Sequence, residues 1–214
     1  MKYGALVLAA ANANIIQKAG LEEGSKRYSQ LVSMMENYNP SFDEKKYWAY
    51  GCNCLVLGDR PMSDPGKGAP VDALDTTCKK YKDCLKCARM NHGDVCIGEF
   101  HQYGMRITKA GEVVCRDDAG SCNRALCECD AMFAREHVNS VASYTDDYNM
   151  FYSQTGWDPE DQCVSGGGST DPQCCGLPDG PYTLFNGNNP NKKCCADGTV
   201  KADCGGNGGG NNGY

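Results

Sequence analysis

Cysteine spacing constrains this chain more than any other feature. Sixteen of its 214 residues are cysteine, far above ordinary usage, and such density belongs to oxidising compartments where disulfides persist. Zinc is the other use for clustered thiols. However, Cys52-x-Cys54 and Cys84-x-x-Cys87 lack the matching second pair of a zinc ribbon. Disulfides are therefore the expected state.

The cysteines sit within helical and hairpin patterns. Around the stretch from Asp75 to Ala88, the residues Leu74, Cys78, Tyr81, Leu85 and Ala88 recur at steps of three and four, so they share one helix face. Cys84 flanks that face, and Lys79, Lys80, Lys82 and Lys86 lie mostly around the rest. A second long helix starts near Ser121, a plausible N-cap, with an inward stripe of Cys122, Leu126, Cys129, Phe133 and His137. Upstream, Tyr28, Leu31, Val32, Met35 and Tyr38 form a further helical stripe, which Asn39-Pro40-Ser41 ends. Between the long helices, Tyr103 to Thr108 and Glu112 to Cys115 flank Lys109-Ala110-Gly111, a hairpin signal. The fold class is mainly α and disulfide-rich.

Four motifs, taken together, resemble the secreted phospholipase A2 family in order and spacing. They are Tyr50-Gly51-Cys52-Asn53-Cys54, the run Gly66-x-Gly68-x-Pro70-x-Asp72-x-x-Asp75, the pair Cys78 and Cys84, and Cys122-x4-Cys127-x-Cys129-Asp130. The resemblance covers about Tyr28 to Cys163. It implies an N-terminal helix, two long antiparallel helices and a small β-wing. It also implies a calcium-dependent hydrolysis of a phospholipid ester, with a neutral histidine as base and an aspartate to orient it.

At the sites of that chemistry the chain departs from the family. Asp130 matches the orienting aspartate, but Tyr81 stands where the histidine should be and Lys82 where a calcium-binding aspartate should be. Residues Leu55 to Pro65 replace the glycine-rich calcium loop with a longer stretch, so Asn53, Leu55 and Leu57 mark a degenerate metal site. The expectation is an inactive variant without catalytic residues, metal or cofactor, as in otoconin-type matrix proteins, with Tyr81 donating a hydrogen bond to Asp130. Asp59 and Asp64 are expected to be solvated turn residues, and His92, His101 and His137 have no activating neighbours in sequence.

The family's bridges, carried across, imply Cys54–Cys78, Cys84–Cys129, Cys96–Cys122, Cys115–Cys127 and Cys52–Cys163. One family bridge is absent, with Thr77 and Glu136 at its two positions. Cys87 has no family partner. Either it reaches into the tail, or Cys163 belongs to the tail and Cys52 pairs elsewhere.

The ends differ in character from the middle. Residues 1–13 resemble a secretory signal, which would leave a phospholipase A2-like domain over 14–163. A Gly/Ser linker (164–173), a module of paired cysteines (174–204) resembling galaxin-like matrix proteins, and a Gly/Asn tail (205–214) expected to be disordered follow. So short a module could not bury a core of its own. The net charge is −6, with acids and bases interspersed, which disfavours nucleic acid. The combination points to a secreted extracellular protein of a biomineral or adhesive matrix, whose partners are matrix proteins, a mineral surface or lipid. A lipid-binding toxin-like module and a weak phospholipase are the alternatives.

Overall fold

The computed structural model describes residues 27–55, 66–97, 101–164 and 170–205. The expected signal segment, Leu57, Asp59, Asp64, residues 165–169 of the linker and most of the Gly/Asn tail lie outside the described residues.

Residues 27–38 are helical (α1), and Leu31, Met34 and Met35 on its inner face are fully buried. The short helix α2 (Glu44–Tyr47) is capped by the Asp43 carboxylate. The strands β1 (Ala49–Tyr50) and β2 (Cys54–Leu55) form a tight antiparallel pair. Gly51 makes the turn between them at φ +59°, where an added Cβ would meet the Asp75 carboxylate at 2.5 Å. Glycine is needed on both counts.

The two long helices are α3 (Ala73–His92) and α4 (Cys122–Ser140). Asp72 caps α3 by accepting from the Asp75 N–H at 2.8 Å, and Ser121 caps α4 by accepting from the Arg124 N–H at 3.1 Å. Lys80 early in α3 pairs with Glu136 late in α4, whereas Cys84 further along α3 joins Cys129 earlier in α4. The helices therefore run antiparallel. Between them the Phe133 ring stacks on Tyr81 at 4.3 Å and on Trp48 at 5.8 Å. The predicted inward stripe of α3 is buried throughout.

One expectation for α3 is corrected. Lys82 does not lie out with the other lysines but is only 5% exposed. It follows Cys78 by four residues and precedes Leu85 by three, so helical spacing places it against the core.

The β-wing pairs β3 (Met105–Ile107) with β4 (Val113–Cys115), and Cys115–Cys127 ties it to α4. Asn37 of α1 donates to the Gly111 carbonyl at the wing's turn, at 2.7 Å. After α4, two 3₁₀ turns and the short helix α5 (Pro159–Gln162) lead to Cys163, which is joined to Cys52.

The C-terminal segment is two small hairpins, β5 (Pro172–Cys175) with β6 (Thr183–Asn186), and β7 (Lys193–Cys194) with β8 (Val200–Lys201). Cys175–Cys194 and Cys195–Cys204 hold them together, and Cys87–Cys174 staples them to α3. With Cys54–Cys78 and Cys96–Cys122, all sixteen cysteines are paired. The hairpins lie on the main core. Tyr182 is buried, its backbone N–H points at Cys84 Sγ at 3.2 Å, and its hydroxyl lies 3.3 Å from His92 Nε2.

Candidate functional site

Helical phase puts Tyr81 of α3 and Asp130 of α4 on facing inner surfaces. Tyr81 is 1% exposed and its hydroxyl donates to Asp130 Oδ1 at 2.9 Å. Two further groups that the sequence reading missed complete the site. The Arg27 guanidinium, at the start of the described part of α1, donates from Nε to Asp130 Oδ2 at 3.1 Å and from Nη2 to Oδ1 at 2.8 Å. The Tyr103 hydroxyl, on the approach to the wing, donates to Oδ2 at 2.6 Å. Both Arg27 and Asp130 are fully buried.

Each Asp130 oxygen thus accepts two hydrogen bonds, which uses the acceptor capacity of a carboxylate. Burial alone would lower the Arg27 pKa, but the Asp130 carboxylate, with Tyr81 and Tyr103 behind it, outweighs burial and holds the guanidinium above its usual range. Burial, then the Asp130 charge, pushes the Tyr103 phenol well up. Charge and hydrogen bonds are satisfied together, which is the condition under which a buried ion pair is tolerated. A signal for Arg27 was present in the sequence. It precedes Leu31 by four residues and Met34 by seven, so it occupies the inward stripe, and a charge there requires a buried partner.

Next to this network, α3 and the β1–β2 turn are locked by a second carboxylate. Asp75 is fully buried and accepts from the N–H groups of Cys52 at 3.0 Å, Asn53 at 2.7 Å and Val71 at 3.0 Å, and from Asn53 Nδ2 at 3.1 Å. Burial raises its pKa while these donors oppose the rise. Asn53 is held here by its backbone and its Nδ2, and its Oδ1 is buried without a hydrogen-bond partner among the described residues. Leu55 closes β2. Leu57 lies outside the described residues.

The three histidines are apart from this site. His137 is 1% exposed, with Tyr47 edge-on at 4.7 Å and Phe133 at 5.6 Å, and neither ring nitrogen has a hydrogen-bond partner among the described residues. Burial pushes its pKa down to about 4. His92 is half-buried against Tyr182, and His101 faces the Val95 carbonyl at 2.9 Å.

Asp130 thus lies between the two long helices, faced by Tyr81 three residues before the Cys84–Cys129 bridge, and the profile of the phospholipase A2 family matches residues 28–152. The chain belongs to the phospholipase A2 family. A membrane-associated phospholipase A2 of Cavia porcellus is 30% identical over 140 residues, which is 65% of this chain and 88% of the relative. A phospholipase A2 of Calliactis polypus is 29% identical over 144 residues, or 67% of this chain and 79% of the relative. The basic phospholipase A2 β-bungarotoxin A-AL4 chain of Bungarus multicinctus is 35% identical over 95 residues, 44% of this chain and 61% of that one. The family match ends at residue 152, so the cysteine-paired hairpins lie beyond it. Among the described residues no helix is long and apolar enough to cross a membrane.

Proposed function

We propose that this is a secreted phospholipase A2 homologue without hydrolytic activity, serving as a structural component of an extracellular matrix. The observation that carries the first part is the saturated Asp130 carboxylate. In the family's chemistry that aspartate orients a neutral base. Here its four acceptor positions are taken by Arg27, Tyr81 and Tyr103, and a phenol, with an ordinary pKa near ~10, is a poor base at neutral pH. Calcium does not fit the donor set either. The position the family gives to a coordinating carboxylate carries the Lys82 ammonium, which has no lone pair to offer and repels a dication.

Assignment to a biomineral or adhesive matrix rests on composition. Paired cysteines in the C-terminal hairpins and the Gly/Asn tail resemble galaxin-like matrix proteins, and scattered carboxylates (Asp72, Asp117, Asp118, Asp146 and Asp147, with Asp59 and Asp64) could contact mineral calcium.

Ester hydrolysis on mixed phosphatidylcholine micelles with calcium tests the first part, using a Tyr81→His/Lys82→Asp variant for comparison. The wild-type protein is expected to release no fatty acid above the uncatalysed rate, and appreciable turnover would overturn the reading. Adsorption to calcite or chitin, and recovery of the native protein from decalcified matrix, test the second part.

A further inference from the structure

The longest run of the chain without lysine or arginine is residues 136–191, which holds eight acidic residues. Charge is therefore not interspersed throughout, contrary to the expectation from composition. Within this run Met150, Phe151 and Tyr152 are 42%, 64% and 41% exposed. Single exposed apolar side chains are ordinary, but three in succession form a patch.

The patch is held outward by its backbone. Asn149 is fully buried, donates to the Lys46 carbonyl at 2.9 Å, and accepts from the N–H groups of Phe151 at 2.8 Å and Tyr152 at 3.1 Å. The Met150 N–H bonds the Ala49 carbonyl at 2.9 Å. Such pinning lowers the conformational cost of binding. The exposed charges nearest in the chain are Asp146, Asp147, Asp158, Glu160 and Asp161, of which Glu160 is paired with Lys67. Among the described residues, Lys46 and Lys67 from outside the run reach this lobe. Lys46 lies 4.3 Å from the Tyr144 ring, and Lys67 pairs with Glu160.

We propose that residues 146–161 form a docking surface for a cationic amphipathic polypeptide. Its apolar face would cover Met150, Phe151 and Tyr152, and its lysines or arginines would meet the four aspartates. A polypeptide fits better than a bilayer because it can bring one cation to each carboxylate. An anionic leaflet would repel the same carboxylates, and burial without paired cations would cost several kcal/mol. The proposal is independent of whether the Asp130 site hydrolyses lipid.

The test uses the full chain and three probes: a synthetic helix with leucines on one face and lysines on the other, a scrambled peptide of the same composition, and phosphatidylcholine vesicles. Trp157 reports binding by fluorescence, since it lies beside Tyr148 with rings 5.1 Å apart and the other tryptophan, Trp48, is fully buried. The amphipathic helix should bind more tightly than the scrambled peptide. Phe151→Ser should weaken that binding at least tenfold, and Asp146→Asn/Asp147→Asn should weaken it and flatten its salt dependence. Phe151 and both aspartates are exposed, so these variants keep the fold. Equal binding by Phe151→Ser would overturn the proposal. So would vesicle binding tighter than peptide binding, which would make the patch a lipid surface. Dimerisation without peptide that Phe151→Ser abolishes would also overturn it, making the occupant a second copy.

Discussion

At the centre of the helical pair, Asp130 accepts from Arg27, Tyr81 and Tyr103, so a buried negative charge is held by a guanidinium and two phenols. Removing one partner of a buried ion pair leaves the other uncompensated, at about 3–5 kcal/mol. Arg27→Ala should lose that much stability in urea unfolding with the disulfides intact, whereas Tyr103→Phe should lose about 1–3 kcal/mol. A loss below about 1 kcal/mol for Arg27→Ala would mean that the pair is not formed in solution. His137 makes a pH prediction. It is buried and neutral, with its pKa pushed down to about 4, against ~6.5 for an unfolded histidine. Between those values the unfolded chain takes up a proton that the folded one refuses. Its contribution is therefore full above about pH 6.5 and is lost as pH falls towards 4. His137→Phe should flatten the fall in unfolding free energy, measured by urea titration between pH 7 and 4.5, by about 1–3 kcal/mol relative to wild type.

Among the elements, the C-terminal hairpins depend on the two long helices. Where the family carries one more bridge between its long helices, Thr77 and Glu136 stand here, and Glu136 is paired instead with Lys80 at 3.0 Å across the helices. An exposed ion pair is worth at most about 1 kcal/mol, against about 2–4 kcal/mol for a bridge. On the other side of α3 the chain gains a link, since Cys87–Cys174 closes a sequence separation of 87 residues. The hairpins bring Tyr182, Leu184 and Cys174 against the main core, which is how a segment too short for its own core stays folded. Cys87→Ala/Cys174→Ala should raise amide hydrogen exchange across residues 172–186 while α3 and α4 remain protected. Equal loss of protection in all three would mean that the hairpins and the helices unfold as one unit.

At the scale of the molecule, periodicity made the helices legible. Leu74, Cys78, Tyr81, Leu85 and Ala88 repeat at the helical period, and a local repeat can be read without knowing what faces it. Turn chemistry did the same for the wing at Lys109-Ala110-Gly111, where Gly111 takes φ +81°. Lys82 is buried, unlike the lysines around it, because its spacing from Cys78 and Leu85 places it on the inner side of the helix. Arg27 and Tyr103 could not be assigned to Asp130 in advance, since they are 103 and 27 residues away in the chain. The sequence by itself determined a cysteine-rich helical chain with a phenol and an amine at Tyr81 and Lys82, because side-chain identity and helical phase are local properties. Only the tertiary structure decided that Asp130 is saturated, that Cys87 reaches Cys174, and that an apolar turn stands out of an acidic lobe. Each of those depends on which distant segments meet, and that is settled by the packing of the whole core.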